Sequence, residues 1–338
     1  MRDANGWLRV IRILRVVPGR VLITGGAGYV GSIVVGELLA RGYRVRALDA
    51  LLHGSVPSLL QSWGNPRFEF VRGDVREAAI RAQVVEDVEA IVHLAAIVGD
   101  PACAREPEQA REVNLAGTQA LLDDAQRAGV ERFLFASTCS NYGMIAGDGF
   151  ADEGFELAPI SLYAETKVAA EHEVLSRSDG LASTCLRFAT VYGTSPRMRF
   201  DLTVNEFARD LAVGDELVVF GEQFWRPYVH VRDAARAVVH VLEAPPTLVA
   251  GEVYNVGDTR ENYRKLDIVN ILRERFPNGN VKFVQRDEDP RDYRVSFQKF
   301  AERFDFVAER SVADGIDEVV GLLASGLVTD PFAPNYRN

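Results

Sequence analysis

Tyr163 and Lys167 stand four positions apart in Tyr163-Ala-Glu-Thr-Lys167. On a helix this spacing sets both side chains on one face, a turn from each other. A phenol ordinarily titrates at about pH 10, and a neighbouring positive charge favours its ionised form. Such a tyrosine can take up a proton near neutral pH. Tyr-x-x-x-Lys also recurs by chance, so its meaning depends on what else the chain supplies. Ser137-Thr138 lies upstream, at the end of Arg132 to Ala136, an apolar run that reads as a buried strand. In an open parallel sheet, ligands bind beyond the C-terminal ends of the strands, where these two hydroxyls would be delivered.

The elements that must position this pair begin at Arg20-Val-Leu-Ile-Thr24, a short apolar strand ended by glycines. Gly25-Gly26-Ala27-Gly28-Tyr29-Val30-Gly31 follows, then a helix carrying Val34, Val35, Leu38 and Leu39 that stops near Gly42. The next strand, Tyr43 to Leu48, ends in Asp49. A glycine loop between strand and helix lets backbone approach a pyrophosphate, whose charge the helix N-terminus stabilises. The acidic residue about 20 positions on is placed to accept from the adenosine ribose hydroxyls. A carboxylate there repels a 2′-phosphate, so NAD is favoured over NADP, with Arg44 and Arg46 as the arginines that keep NADP the alternative.

Strands then alternate with helices. Phe68 to Val71 is a strand, and Asp74 of Gly73-Asp74-Val75 could face the adenine. Ala90 to Ala95 is another, after which Ala95-Ala96 leaves room for a cofactor; His93 within it reads as a packed core residue. A long helix from about Glu106 to Ala128 carries Asn114. Ser183 to Phe188 is a further strand, and Tyr228 to Val239 with Val253 to Gly257 is expected to return the chain to the sheet. The fold class expected is α/β, a doubly wound parallel sheet with right-handed crossovers and a smaller, discontinuous C-terminal domain.

Composition narrows the function. The chain has 338 residues, 47% apolar and 25% charged, with a net charge of −10, which argues against a nucleic-acid or acidic-membrane binder. Cys103, Cys139 and Cys185 have no metal-ligand spacing, so no metal is expected, and unpaired cysteines suit a reduced, cytoplasmic compartment. No apolar run is long enough to span a bilayer. Met1 to Val17, with Arg9, Arg12 and Arg15 among apolar residues, reads as an N-terminal extension rather than a membrane-surface helix or targeting segment.

Thr24 to Gly31, His93-Leu-Ala-Ala96, Ser137-Thr138 with Tyr142-Gly143, Tyr163/Lys167, and Leu186-Arg187-Phe188 through Val191-Tyr192-Gly193 occur in that order. Together they resemble the extended short-chain dehydrogenase/reductase superfamily, in its nucleotide-sugar epimerase and dehydratase branch. The resemblance implies a cofactor site from Gly25, Gly28, Tyr29, Val30, Gly31, Asp49, Asp74, Val75, Leu94, Ala95, Ala96 and Asn114. It implies Tyr163 as base, Lys167 on the nicotinamide ribose lowering the tyrosine's pKa, and Thr138 donating to the reacting sugar oxygen. Substrate contacts would come from Thr138, Cys139, Ser140, Thr190, Asn205, Arg226 and Arg286, the two arginines suiting a diphosphate.

The departures carry as much weight. The family's 4,6-dehydratases follow the catalytic threonine with Asp-Glu, and the related decarboxylases use a glutamate at the second of these positions; this chain has Cys139-Ser140. Thr190 replaces the asparagine of many epimerases, and Arg197-Met-Arg-Phe200 receives no role from the resemblance. The implied function is an NAD-dependent nucleoside-diphosphate-sugar epimerase working through a transient keto-sugar. The alternatives are a keto-sugar reductase and a non-catalytic dinucleotide sensor. The expected domains are 18–192 with 227–257 for the cofactor, and 193–226 with 258–338 for the substrate, in a homodimer.

Overall fold

A computed structural model describes residues 19–145, 147, 149–177, 180–285 and 292–338. The expected extension at 1–17 and the candidate Arg286 lie outside these residues. The chain opens with β1 (Arg20–Thr24), α1 (Gly31–Ala40), β2 (Arg44–Asp49), α2 (Val56–Leu60), β3 (Phe68–Arg72), α3 (Ala78–Val84) and β4 (Ala90–His93). Next come α4 (Asp100–Arg105), α5 (Pro107–Arg111), a π-helical turn at Glu112–Ala116, and α6 (Gly117–Ala128). β5 (Arg132–Thr138), α7 (Leu162–Ser176) and β6 (Ala182–Phe188) follow.

These strands, with β10 (Glu252–Val256), form a seven-stranded sheet in the order β10-β6-β5-β4-β1-β2-β3, parallel throughout. It is the doubly wound sheet expected. Each central strand is apolar on both sides because both faces are covered. Val21 and Ile23 of β1 pack into one core with Val34, Leu38 and Val238, while Leu22 between them packs into the other with Leu121, Leu122 and Val174. Strand order reverses between β1 and β4, and the crevice outside the strand ends at such a switch point is where ligands bind.

Between β6 and β10 come β7 (Thr190–Tyr192), α8 (Thr203–Val213), β8 (Leu217–Phe220), β9 (Trp225–His230), α9 (Val231–Glu243) and α10 (Pro246–Val249), of which α9 packs on α1 of the first lobe. After β10 come β11 (Asn262–Arg264), α11 (Lys265–Arg275), β12 (Val281–Val284), α12 (Gln298–Phe304) and α13 (Val312–Ala324). β9 sits between β7 and β11 in a small sheet, and β8 pairs with β12. A third core joins Phe207 and Leu211 of α8 to Ile268 and Leu272 of α11 and Ile316 and Val319 of α13.

The expectation that Tyr228 to Val239 rejoins the large sheet needs correction. Tyr228 belongs to the small sheet, and from Val231 the chain is helical, with His230 accepting the Arg232 N–H at 3.2 Å as its cap. Asp233 in the first turn and an alanine-rich sequence thereafter favour the helix. Only β10 returns to the sheet, beside β6.

Candidate functional site

A cleft of about 820 Å³ opens along the strand ends of the switch point. Its floor is the glycine loop. Gly25 has φ +71°, and a Cβ there would stand 2.9 Å from the Ala95 nitrogen. A Cβ on Gly31 would lie 2.0 Å from the Gly25 carbonyl oxygen. Only glycine permits this close approach, which leaves a bare cradle at the N-terminus of α1. Asp49 at the end of β2 accepts the Ala27 N–H at 3.0 Å and the Leu51 N–H at 2.8 Å. Burial raises its pKa, and these two bonds oppose the shift. Gly25, Gly28, Tyr29, Val30, Gly31, Asp49, Asp74, Val75, Leu94, Ala95 and Ala96 all line the cleft. Asp74 is already engaged by the Arg76 guanidinium at 2.8 Å, which holds its carboxyl below the usual value. The cradle fits a dinucleotide.

Neither Arg44 nor Arg46 lines the cleft. Arg46 turns away and donates to the Val84 and Glu86 carbonyls at 2.8 Å each. It therefore offers nothing to a 2′-phosphate.

His93 is a core residue, and its tautomer follows from its partners. Thr118 donates its own hydrogen to the Asn114 carbonyl at 2.8 Å, so it must accept from His93 Nε2 at 2.9 Å. His93 Nδ1 then accepts from Thr24 Oγ1 at 2.6 Å, and Thr24 accepts the Ala95 N–H at 3.2 Å. Burial lowers the imidazole pKa to about 3, with the Lys167 charge adding to the effect. This neutral relay fixes the backbone at the cleft wall.

Thr138, Ser140, Tyr163, Lys167 and Thr190 line the same cleft. Thr138 accepts the Ser140 N–H at 3.1 Å, which leaves its hydroxyl hydrogen to donate inward. Lys167 is buried with its Nζ donating to the Ala136 carbonyl at 2.9 Å, and burial lowers its pKa to about 8. Burial raises the Tyr163 phenol well above its ordinary value, and the Arg199 charge only partly opposes this. That direction is the reverse of the one expected from a lysine one turn away, because the loss of solvent outweighs the neighbouring charges.

Asn114 does not line the cleft. It sits in the π-helical turn, where an extra backbone residue swings its amide toward the loop after β4. Its Oδ1 accepts the Ile97 N–H at 2.8 Å, and its Nδ2 donates to the Ile97 carbonyl at 3.0 Å and to Thr166 Oγ1 at 3.2 Å. Thr166 donates to the Tyr163 carbonyl at 2.9 Å, so Asn114 ties the loop to the helix that carries the tyrosine.

Three substrate candidates are placed elsewhere. Cys139 is 1% exposed in the hydrophobic core, with its thiol donating to the Arg187 carbonyl at 3.2 Å. Asn205 is fully buried and braces the Gly193 N–H at 2.9 Å and the Tyr29 hydroxyl at 3.2 Å. Arg226 packs over the Tyr293 ring and donates to the Trp225 carbonyl at 2.7 Å. None of the three lines the cleft. Cys103, Cys139 and Cys185 are buried and unpaired. Among the described residues no cluster suits a metal ion, and no helix is long and apolar enough to cross a membrane.

Sequence reasoning missed the far wall of the cleft. Arg197, Arg199, Asp201, Arg209, Arg337 and Tyr293 line it, Tyr293 with its hydroxyl 3.4 Å from Ser140 Oγ. The one available signal was the undeciphered Arg197-Met-Arg-Phe200, two arginines in a loop too apolar to be simple surface.

The model of the NAD dependent epimerase/dehydratase family matches residues 21–257. A 3 beta-hydroxysteroid dehydrogenase/Delta 5-->4-isomerase from Mycobacterium tuberculosis is 34% identical over 71% of this chain, which spans 65% of that relative's length. The crystal structure of a dTDP-glucose 4,6-dehydratase from Streptomyces venezuelae, with NAD bound, superposes with a TM-score of 0.82 at 30% identity, over 91% of this chain and 98% of that one. That of a UDP-glucose 4-epimerase from Thermotoga maritima, with UDP-glucose, gives 0.81 at 28%, over 91% and 99%.

Proposed function

The chain belongs to the NAD dependent epimerase/dehydratase family, and from that premise we propose that it is an NAD-dependent epimerase of a nucleoside-diphosphate sugar. The observation that carries this reading is Thr138, Tyr163 and Lys167 converging on one cleft, with Cys139-Ser140 in place of a carboxylate pair beside the threonine. The glycine cradle and Asp49 favour NAD, the cofactor bound in the dehydratase comparator.

NAD supplies reversible hydride acceptance from a sugar carbon, commonly C4. Burial favours the neutral phenol, so Tyr163 would act through its minor phenolate form, taking the proton of that carbon's hydroxyl and returning it when the alcohol re-forms. Thr138 donates a hydrogen bond to the same oxygen as negative charge develops there. Lys167, held by the Ala136 carbonyl, would offer its remaining hydrogens to a hydroxyl of the nicotinamide ribose. Ser140, a neutral hydroxyl, cannot take up the proton that elimination of water would release, which argues for a redox-neutral inversion over dehydration. Arg199, Arg209 and Arg337 line the cleft, the first two paired with Asp201 and Asp210, and so charged a lining suits a phosphate-bearing substrate better than an apolar sterol. The α6 and α7 helices lie side by side, as expected of the faces that pair two subunits.

The test is incubation with a panel of nucleotide sugars and NAD, read by NMR and mass spectrometry. A product isomeric with its substrate, without net cofactor use, is expected. Net NADH consumption would select the reductase. Tyr163→Phe is expected to lower turnover about 10²- to 10⁴-fold with the fold intact; unchanged turnover would remove the tyrosine from the mechanism, and no turnover of any sugar by the parent chain would favour the sensor.

A further inference from the structure

Arg197 is a buried cation that the proposed mechanism does not use. It lies in the loop between β7 and α8, is 5% exposed and lines the cleft. Among the described residues its one hydrogen bond runs from Nη2 to the Arg337 carbonyl at 3.1 Å, and none of their carboxylates hydrogen-bonds its guanidinium. The neighbouring arginines differ. Arg199 forks onto Asp201 at 2.9 and 2.7 Å, and Arg209 onto Asp210 at 2.8 and 2.5 Å. Asp201 and Asp49 favour its charge without bonding it, and a guanidinium withdrawn from water with no hydrogen-bonded anion is costly, the usual resolution being a ligand that supplies one. Burial and the Arg199 charge lower its pKa to about 10, so it remains a cation at neutral pH.

The loop is fastened over the cofactor cradle. Ser195 Oγ donates to the Tyr29 carbonyl at 2.7 Å and lies 3.1 Å from Ser32 Oγ in the first turn of α1. Tyr29 returns the contact, donating to the Gly193 carbonyl at 2.6 Å. Arg197, Asp49 and His53 line the same cleft and act on one another's charge.

We propose that Arg197 is a cofactor clamp: it reaches from the second lobe across the cleft and binds the pyrophosphate of the dinucleotide opposite the N-terminus of α1. The proposal rests on the reading that this cleft takes NAD. Two positive elements, one from each lobe, then enclose the same anion. The cofactor can leave only when the loop 193–200 lifts from α1, so it is retained between turnovers, as a redox-neutral cycle requires.

Calorimetric titration of the full chain with NADH, NADPH, ADP-ribose, adenosine and a set of nucleoside diphosphates tests this, with Arg197→Met and Arg197→Lys alongside and thermal melts as the folding control. Arg197→Met is expected to weaken NADH, ADP-ribose and ADP about 10- to 100-fold while adenosine and the other nucleoside diphosphates bind as before. Arg197→Lys, which keeps the charge and loses the fork, is expected to recover part of the loss. If Arg197→Met does not fold, a several-fold faster NADH release from Arg197→Lys is the expected result, and an unchanged release overturns the proposal. NADH affinity within twofold of the parent overturns it. A loss confined to nucleoside diphosphates other than ADP reassigns Arg197 to the substrate, and one confined to NADPH reassigns it to a 2′-phosphate. These measurements need no turnover, so a chain that binds NADH through Arg197 yet converts no sugar keeps the clamp and rejects the epimerase.

Discussion

At the scale of single residues, burial acts on Tyr163 and Lys167 in opposite directions, raising the phenol and lowering the ammonium to about 8. The same physics therefore disfavours charge on both partners of the proposed pair. Lys167 is cationic below that value and neutral above it. The pH profile of kcat/KM is accordingly expected to fall on the alkaline side from about pH 8 as Lys167 loses its proton. Lys167→Arg should shift that limb upward, and a limb unmoved by the substitution would assign it to another group. The stability sign is also fixed. The folded value lies below the ordinary 10.5, so between about 8 and 10.5 the folded chain binds fewer protons than the unfolded one, and this residue's contribution becomes more favourable as pH rises. The Tyr163/Lys167 spacing and the glycine loop were legible in the sequence because each is local. The burial that reverses the tyrosine's shift was not, since it comes from segments far apart in the chain. Cys139 shows the same limit: adjacency to Thr138 suggested the cleft, but it opens a 3-10 turn and its thiol turns into the core toward the Arg187 carbonyl.

At the scale of elements, strands and crossovers of the first half were readable from apolar runs and glycine stops. The π-helical turn was not, because its sequence, Glu112-Val-Asn-Leu-Ala116, looks like ordinary helix. The attachment of α13 was equally hidden. Glu318 on that helix accepts from His230 Nε2 at 3.0 Å and from the Thr194 hydroxyl at 2.8 Å, some hundred residues upstream. His230 Nδ1 already accepts the Arg232 N–H, so Nε2 carries the proton. Burial pushes the Glu318 carboxyl up, but the bonds from His230 and Thr194 win and hold it at about 2. Its folded value lies below the ordinary 4.5, so the stability it adds is full above that pH and is lost as pH falls toward 2. Glu318→Gln is expected to cost about 1–3 kcal/mol at neutral pH and to flatten that acid limb, read by denaturant melts across pH. An unchanged acid limb would mean that other carboxylates carry it.

At the scale of the whole molecule, two lobes share one cleft, and the loop from β7 to α8 crosses between them. The run Arg197-Met-Arg-Phe200 could not reveal the role of its arginines, because what matters is the face they present once Ser195 and Tyr29 have joined the lobes. A homodimer through α6 and α7 predicts a light-scattering mass twice the 37.3 kDa of the chain, independent of cofactor; a single-chain mass would remove that assembly. The placement of β10 has a further consequence for how the protein comes into being. β6 emerges early but gains its second neighbour only when β10 arrives. Translation at 5–20 residues per second needs roughly 3 to 13 seconds for the segment from Ala189 to Gly251 between them. During that interval the nascent sheet hangs from the ribosome with a bare edge from Thr184 to Phe188, a template for neighbouring chains on a crowded polysome until its own strand closes it.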